Sequence, residues 1–246
     1  MNLSGKQLEF RKTGARSNPA RVMVLLLLVV ISMFAIRAKL DQKIVSPYAP
    51  TPTATRGASS YVLEGETHFS AGDLDKAIQS YINAIALDDQ NHQLWYELAR
   101  IRTYSSQLLT TDEQQLARLQ EALEAVDRAV ELAPEDSSAH AIRAFVLDWL
   151  SSSSLITKEE AGAYLTQAEQ EAVQALQLDN TNTLALAYYA EILVDQQKWS
   201  QAEQYINQAV ERNPDSMDVQ RIVAYTKESM GDYLGAIESY QKAVEI

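Results

Sequence analysis

The chain has no cysteine and only three histidines among its 246 residues. Without a thiol there is no disulfide, no thiolate metal site and no cysteine-borne lipid anchor. His68, His92 and His140 form no pair at metal-ligand spacing on one helix, and no Gly-rich loop is present to cradle a phosphate. The serine run at 151–154 has no base beside it. Carboxylate pairs such as Asp88/Asp89 and Glu159/Glu160 fall at helix ends or turns, where acids cap or are solvated. These absences argue against an enzyme and against any bound cofactor or metal.

Basic residues are scarce over most of the length. Residues 1–57 hold nine Lys/Arg against two Asp/Glu, a balance of +7, while residues 58–246 hold twelve against 31, a balance of −19. So acidic a region repels nucleic acid and anionic lipid, and it attracts a basic partner segment. The same charge also serves solubility on a large helical surface.

What is present falls into two parts. Residues 22–36 are almost wholly apolar between Arg21 and Arg37. As helix they rise about 22 Å, and the snorkelling arginine stems bring them within reach of a bilayer span. A cleaved signal peptide is the competing reading, but no small-x-small site follows. Five basic residues precede the segment and three follow it closely, which favours a cytoplasmic N-terminus with the remainder outside the cytoplasm. The Pro/Thr-rich stretch at 46–55 predicts a semi-rigid spacer. The organisation expected is a basic tail (1–21), a transmembrane anchor (22–36), a disordered linker (37–57) and a folded region (58–246).

Within that region a small-residue ladder recurs five times: Gly65/Ala77/Ala84, Ala99/Ala122/Ala129, Ala144/Ala168/Ala175, Ala190/Ala202/Ala209 and Ala224/Ala236/Ala243. Helices cross closely only where side chains are small, so the repetition predicts stacked helical hairpins. With Tyr61 and Gly65 in the first unit, Pro214 in the fourth, and the turns Gly72-Asp73-Leu74-Asp75-Lys76-Ala77 and Gly231-Asp232-Tyr233-Leu234-Gly235-Ala236, the pattern resembles the tetratricopeptide repeat (TPR). The resemblance implies an all-α, right-handed superhelical solenoid of about five TPR helix hairpins, with units 58–91, 92–136, 137–182, 183–216 and 217–246.

The second and third units are 45 and 46 residues long, against 34 in the family. Both insertions carry serines, two aliphatics (Leu108/Leu109 and Leu155/Ile156), then a Thr with Gln or Glu three residues on. That last element predicts a capping box, hence long helices at 112–132 and 158–178 lying side by side, with the aliphatic pairs packed together as a roof. An exposed apolar contact for a partner is the alternative use of those pairs.

The family's ligand positions lie on the first helix of each hairpin and line a concave face. Carried over, they give the aromatic platforms Tyr96, Tyr104, Phe145, Trp149 and Tyr225, with Glu66, Arg100, Asp148, Glu191, Asp195 and Arg221 around them. Aromatics and Arg carry much of the energy at interfaces, so the resemblance implies a groove for a protein or peptide. Several of the rings could instead cover neighbouring helices, Trp149 foremost. The family's clamp for C-terminal carboxylates is not expected, since Val62, Glu66, Glu97, Ser138 and Ile142 stand at its positions. In the last helix, Ile237, Tyr240, Val244 and Ile246 are expected to be partly uncovered, which suggests self-association. The function expected is a membrane-anchored interaction scaffold; the alternative is a structural or oligomerisation subunit of a larger membrane-associated complex.

Overall fold

The computed structural model describes residues 18–40 and 56–246, which belong to two separate bodies. The basic tail before residue 18 and the Pro/Thr stretch lie outside the described residues. Helix α1 (Pro19–Leu40) starts where Asn18 accepts a hydrogen bond from the Ala20 N–H at 3.1 Å and Pro19 takes the first helical position. It runs 22 residues, a rise of about 33 Å.

The second body consists of five helical hairpins: α2 (Ala58–Ser70) with α3 (Leu74–Ile85), α4 (His92–Ser106) with α5 (Asp112–Leu132), α6 (Ser137–Ser151) with α7 (Lys158–Leu178), α8 (Thr183–Asp195) with α9 (Trp199–Arg212), and α10 (Met217–Ser229) with α11 (Tyr233–Glu245). Among the described residues every regular element is a helix. Side-chain caps mark many of the starts: Asn91, Thr111, Asp136, Thr157, Asn182, Ser216 and Asp232 each accept from a backbone N–H of the first turn.

All fifteen ladder residues are buried. The reason is geometric: they stand where helices cross, and at Gly65 a Cβ would come within 2.7 Å of the Tyr81 ring. The tight turns between first and second helices in the three regular hairpins need a left-handed residue, which is Gly72 (φ +76°) in the first and Gly231 (φ +85°) in the last; the fourth uses Gln197 (φ 60°) at the same position.

Helices α5 and α7 each span 21 residues, against 12 to 14 in the other second helices. Thr157 makes a reciprocal capping box with Glu160, whereas Thr111 only accepts from the Gln114 N–H, and the Gln114 side chain lies against the Thr110 hydroxyl instead. The aliphatic pairs divide rather than form one roof: Leu108 and Leu155 stay 68% and 46% exposed, while Leu109 and Ile156 turn inward and Ile156 packs on the main core. What joins the two insertions is polar, the Ser154 hydroxyl donating to the Asp112 carboxylate.

The first helices α4, α6, α8 and α10 each pack against the next, forming an inner row, and the second helices pack outside them. On α11, Leu234, Ile237, Tyr240 and Val244 remain exposed, as does Ile246 just after it.

Candidate interaction face

Every side chain that the resemblance places on the concave face sits on a first helix: Glu66 on α2, Tyr96, Arg100 and Tyr104 on α4, Phe145, Asp148 and Trp149 on α6, Glu191 and Asp195 on α8, Arg221 and Tyr225 on α10. Their long side chains meet across the curve. Arg100 donates to Asp218 on α10 at 3.1 Å and to Glu97 at 2.9 Å, spanning 118 residues of sequence. Asp218 also accepts from Tyr104 and, at 2.8 Å, from Tyr188. Arg221 donates through Nε to the Tyr104 oxygen at 3.3 Å, and its two terminal nitrogens grip Glu191 at 2.7 and 2.5 Å. Trp149 donates to the same Glu191 at 3.2 Å.

Rings fill the space between these charges. Phe145 stacks on Tyr188 at 4.4 Å between centroids, and Tyr104 and Trp149 pack against Phe145 at 5.3 and 5.1 Å. The middle of the concave face is therefore a charged and aromatic bridge, not an open groove. The curvature brings α4 close enough to α10 for two arginines to cross it.

Asp218, the centre of this bridge, is 6% exposed. Burial alone would push its carboxyl up, but the Arg100 charge with the Tyr104 and Tyr188 hydroxyls outweighs that and holds it below the usual range. The resemblance does not place this residue on the face, although it lies in the first turn of the fifth unit's first helix. Tyr188, on α8, is not placed there either. Asp148 and Asp195 behave the opposite way: burial raises both carboxyls, and for Asp148 the charges of Asp195 and Glu191 add to it. Tyr225 donates to Asp195.

Two cavities flank the bridge. One, about 540 Å³, is lined by Val62, Glu66, Gln93, Tyr96, Glu97 and Arg100, among others from the first two hairpins. Burial, followed by the charge of Glu97, pushes the Tyr96 phenol up to about 12, so it stays a neutral hydrogen-bonding group there. The other, about 440 Å³, lies under the insertion loops against Trp149, Glu191, Asp195, Arg221 and Tyr225. Glu66 and Tyr96 thus belong to a different opening from Trp149 and Tyr225, and Arg100 and Arg221 form the two sides of the wall between them.

Comparison with known proteins agrees with the fold. Sequence models described as Tetratricopeptide repeat match residues 160–224 and 222–246, and one described as TPR repeat matches residues 65–101. No curated protein matches the sequence. Among solved structures, TTC0263, a thermophilic TPR protein of Thermus thermophilus, is 20% identical with a TM-score of 0.61, covering 77% of this chain and 91% of its own. YrrB, a TPR protein with an unusual peptide-binding site, is 17% identical at a TM-score of 0.41, covering 77% of this chain and 86% of its own. MamA is 15% identical at 0.41, covering 76% and 90%. Repeated hairpins, the buried ladder and the matched sequence models agree: the chain belongs to the tetratricopeptide repeat family.

Proposed function

We propose that this chain is a non-enzymatic scaffold, held at a membrane by α1, that captures a segment of a partner protein in the open cavity of its first two hairpins. The observation that carries the reading is that cavity. It keeps Glu66 and Gln93 exposed beside Tyr96 and Val62, while the middle of the concave face is filled by its own side chains. Glu66 and Asp88 leave it acidic beside the Arg100–Glu97 pair and fit a basic segment. The anchor reading is supported by an apolar helix of mean hydropathy 2.5 over Pro19–Arg37, long enough to cross a bilayer. Within it the Ser32 hydroxyl is satisfied by the Val29 carbonyl at 2.8 Å. In this reading 1–21 is a cytoplasmic tail, 22–36 the span, 37–57 a spacer, and 58–246 the TPR domain outside the cytoplasm.

A second reading, an oligomerisation or structural subunit, is favoured by one observation: the exposed apolar residues of α11. A photo-crosslinking residue placed at Ser59 or at Leu234 in the full chain, in native membranes, separates the two. Crosslinks to a different protein from position 59, lost when Glu66→Lys is added without a change in melting temperature, are expected. Crosslinks from position 234 alone would instead support the structural subunit, and position 59 crosslinks that survive Glu66→Lys would sink the charged-cavity reading.

A further inference from the structure

The inner face uses one device twice. Arg100 lies over the Phe69 ring at 4.7 Å with Glu97 and Asp218 on its nitrogens, and Arg221 lies 5.4 Å from both the Tyr104 and Phe145 ring centroids with Glu191 on its fork. Guanidinium, ring and carboxylate together suit a weakly hydrated cation in a half-dry site. A third set of the same parts has no cation paired to it among the described residues. Asp195 accepts from Tyr225, and burial together with the Asp195 charge raises the neighbouring Asp148 carboxyl. Asp148 is 1% exposed, and its Oδ1 has no hydrogen-bond partner.

Asp195 and Tyr225 face the cavity of about 440 Å³ beneath the insertions, and Asp112 lines it at the first turn of α5. Glu191 and Arg221 also line it but neutralise each other at 2.7 and 2.5 Å. The remaining carboxylates leave an uncompensated negative charge. No cluster of His, Asp or Glu suited to a metal ion occurs among the described residues, so the geometry calls for a broad organic cation.

We propose that this cavity seats the guanidinium of an arginine side chain supplied by a partner polypeptide, its donors shared between Asp195 and Asp112 and its plane beside Tyr225. Gln107, Gln115 and the serine hydroxyls of the α6–α7 loop supply amide and hydroxyl groups for the guest's backbone. Free arginine fits poorly, since its own carboxylate would meet Asp112. The site lies across the Arg100–Asp218–Arg221 bridge from the opening of the first two hairpins, and does not depend on what binds there. Burial raises the Asp148 and Asp195 carboxyls, and a bound cation favours their ionised forms, so binding is accompanied by proton release. With Asp112 and Glu191 acting against that release and Arg221 in its favour, affinity rises with pH.

The test is calorimetry of the full chain in detergent micelles with the capped peptide acetyl-Gly-Arg-Gly-amide, its citrulline counterpart, and free arginine, at pH 6 and 8. The arginine peptide is expected to bind roughly tenfold or more tightly than the citrulline peptide, as for a charge-assisted pair. It should bind tighter at pH 8, with protons released. Asp195→Asn should abolish the preference and Asp112→Asn should weaken it severalfold; if circular dichroism shows the first variant unfolded, the exposed Asp112→Asn decides. Equal binding of the two peptides, or a preference that survives both variants, would overturn the site. Free arginine binding as tightly as the peptide would overturn the polypeptide source. Glu66→Lys is expected to leave the preference intact, so failure here and failure of the first cavity are read separately.

Discussion

At the scale of single residues, Asp218 decides more than any groove-lining aromatic. Its carboxylate is the common acceptor for Arg100, Tyr104 and Tyr188, and it is the one hydrogen-bond partner of the Tyr188 hydroxyl among the described residues. Taking away its charge leaves the buried Arg100 with Glu97 as its one remaining acid. Breaking one partner of a buried pair typically costs about 3–5 kcal/mol, far more than the pair adds over an apolar substitute. Asp218→Asn is therefore expected to lower unfolding free energy by roughly that amount, measured by urea denaturation. A loss under about 1 kcal/mol, the size of a surface pair, would mean that water reaches Arg100 and the bridge is loose. An Arg100→Met/Asp218→Leu double variant should recover only part of the loss, since both charges then leave together but the buried Tyr188 hydroxyl stays without its acceptor.

At the scale of elements, hairpin boundaries were legible and inter-hairpin contacts were not. Thr111 and Thr157 mark the starts of α5 and α7 because a cap needs only its own first turn, which is local information. The ladder of Ala and Gly was legible for a similar reason, since each helix crossing constrains one position in a fixed register. Partners such as Tyr104 and Asp218 stand 114 residues apart, and a repeat register tells which face a side chain takes but not how tightly the row curves. The α6–α7 hairpin adds a local staple. His140 places Nδ1 2.6 Å from Glu171 and Nε2 2.9 Å from the Pro134 carbonyl. A carbonyl and a carboxylate can only accept, so both ring nitrogens donate and the ring is an imidazolium. The Glu171 hydrogen bond, opposed by burial, raises its pKa above the ordinary value. Such a group contributes fully below its unfolded pKa of about 6.5 and loses that contribution as pH rises through the folded value. His140→Gln is thus expected to lower the melting temperature more at pH 5.5 than at pH 9. An equal gap at both would mean that the ring is neutral in the folded protein.

At the scale of the whole molecule, the bridge changes what kind of solenoid this is. An array in which each unit touches only its neighbours melts from its ends, and a change in the second hairpin reaches the fifth only through the third and fourth. Here Arg100 and Tyr104 on α4 bond Asp218 and Arg221 on α10 directly, so the second and fifth hairpins hold each other in place. The inner row is closed into a loop of contacts, which fixes its curvature and holds the two flanking cavities apart. The Tyr104 hydroxyl isolates this coupling, because Tyr104→Phe keeps the ring against Phe69 and Phe145 while removing the link to Asp218 and Arg221. A buried hydrogen bond lost with its acceptor left in place costs about 1–3 kcal/mol. Native-state hydrogen exchange of Tyr104→Phe should therefore show amides of α10 opening about tenfold faster, with α2 and α3 little changed. Loosening confined to α4 and its immediate neighbours, with α10 protected as before, would show that the hairpins communicate only in sequence order and that the bridge fills space without joining the ends.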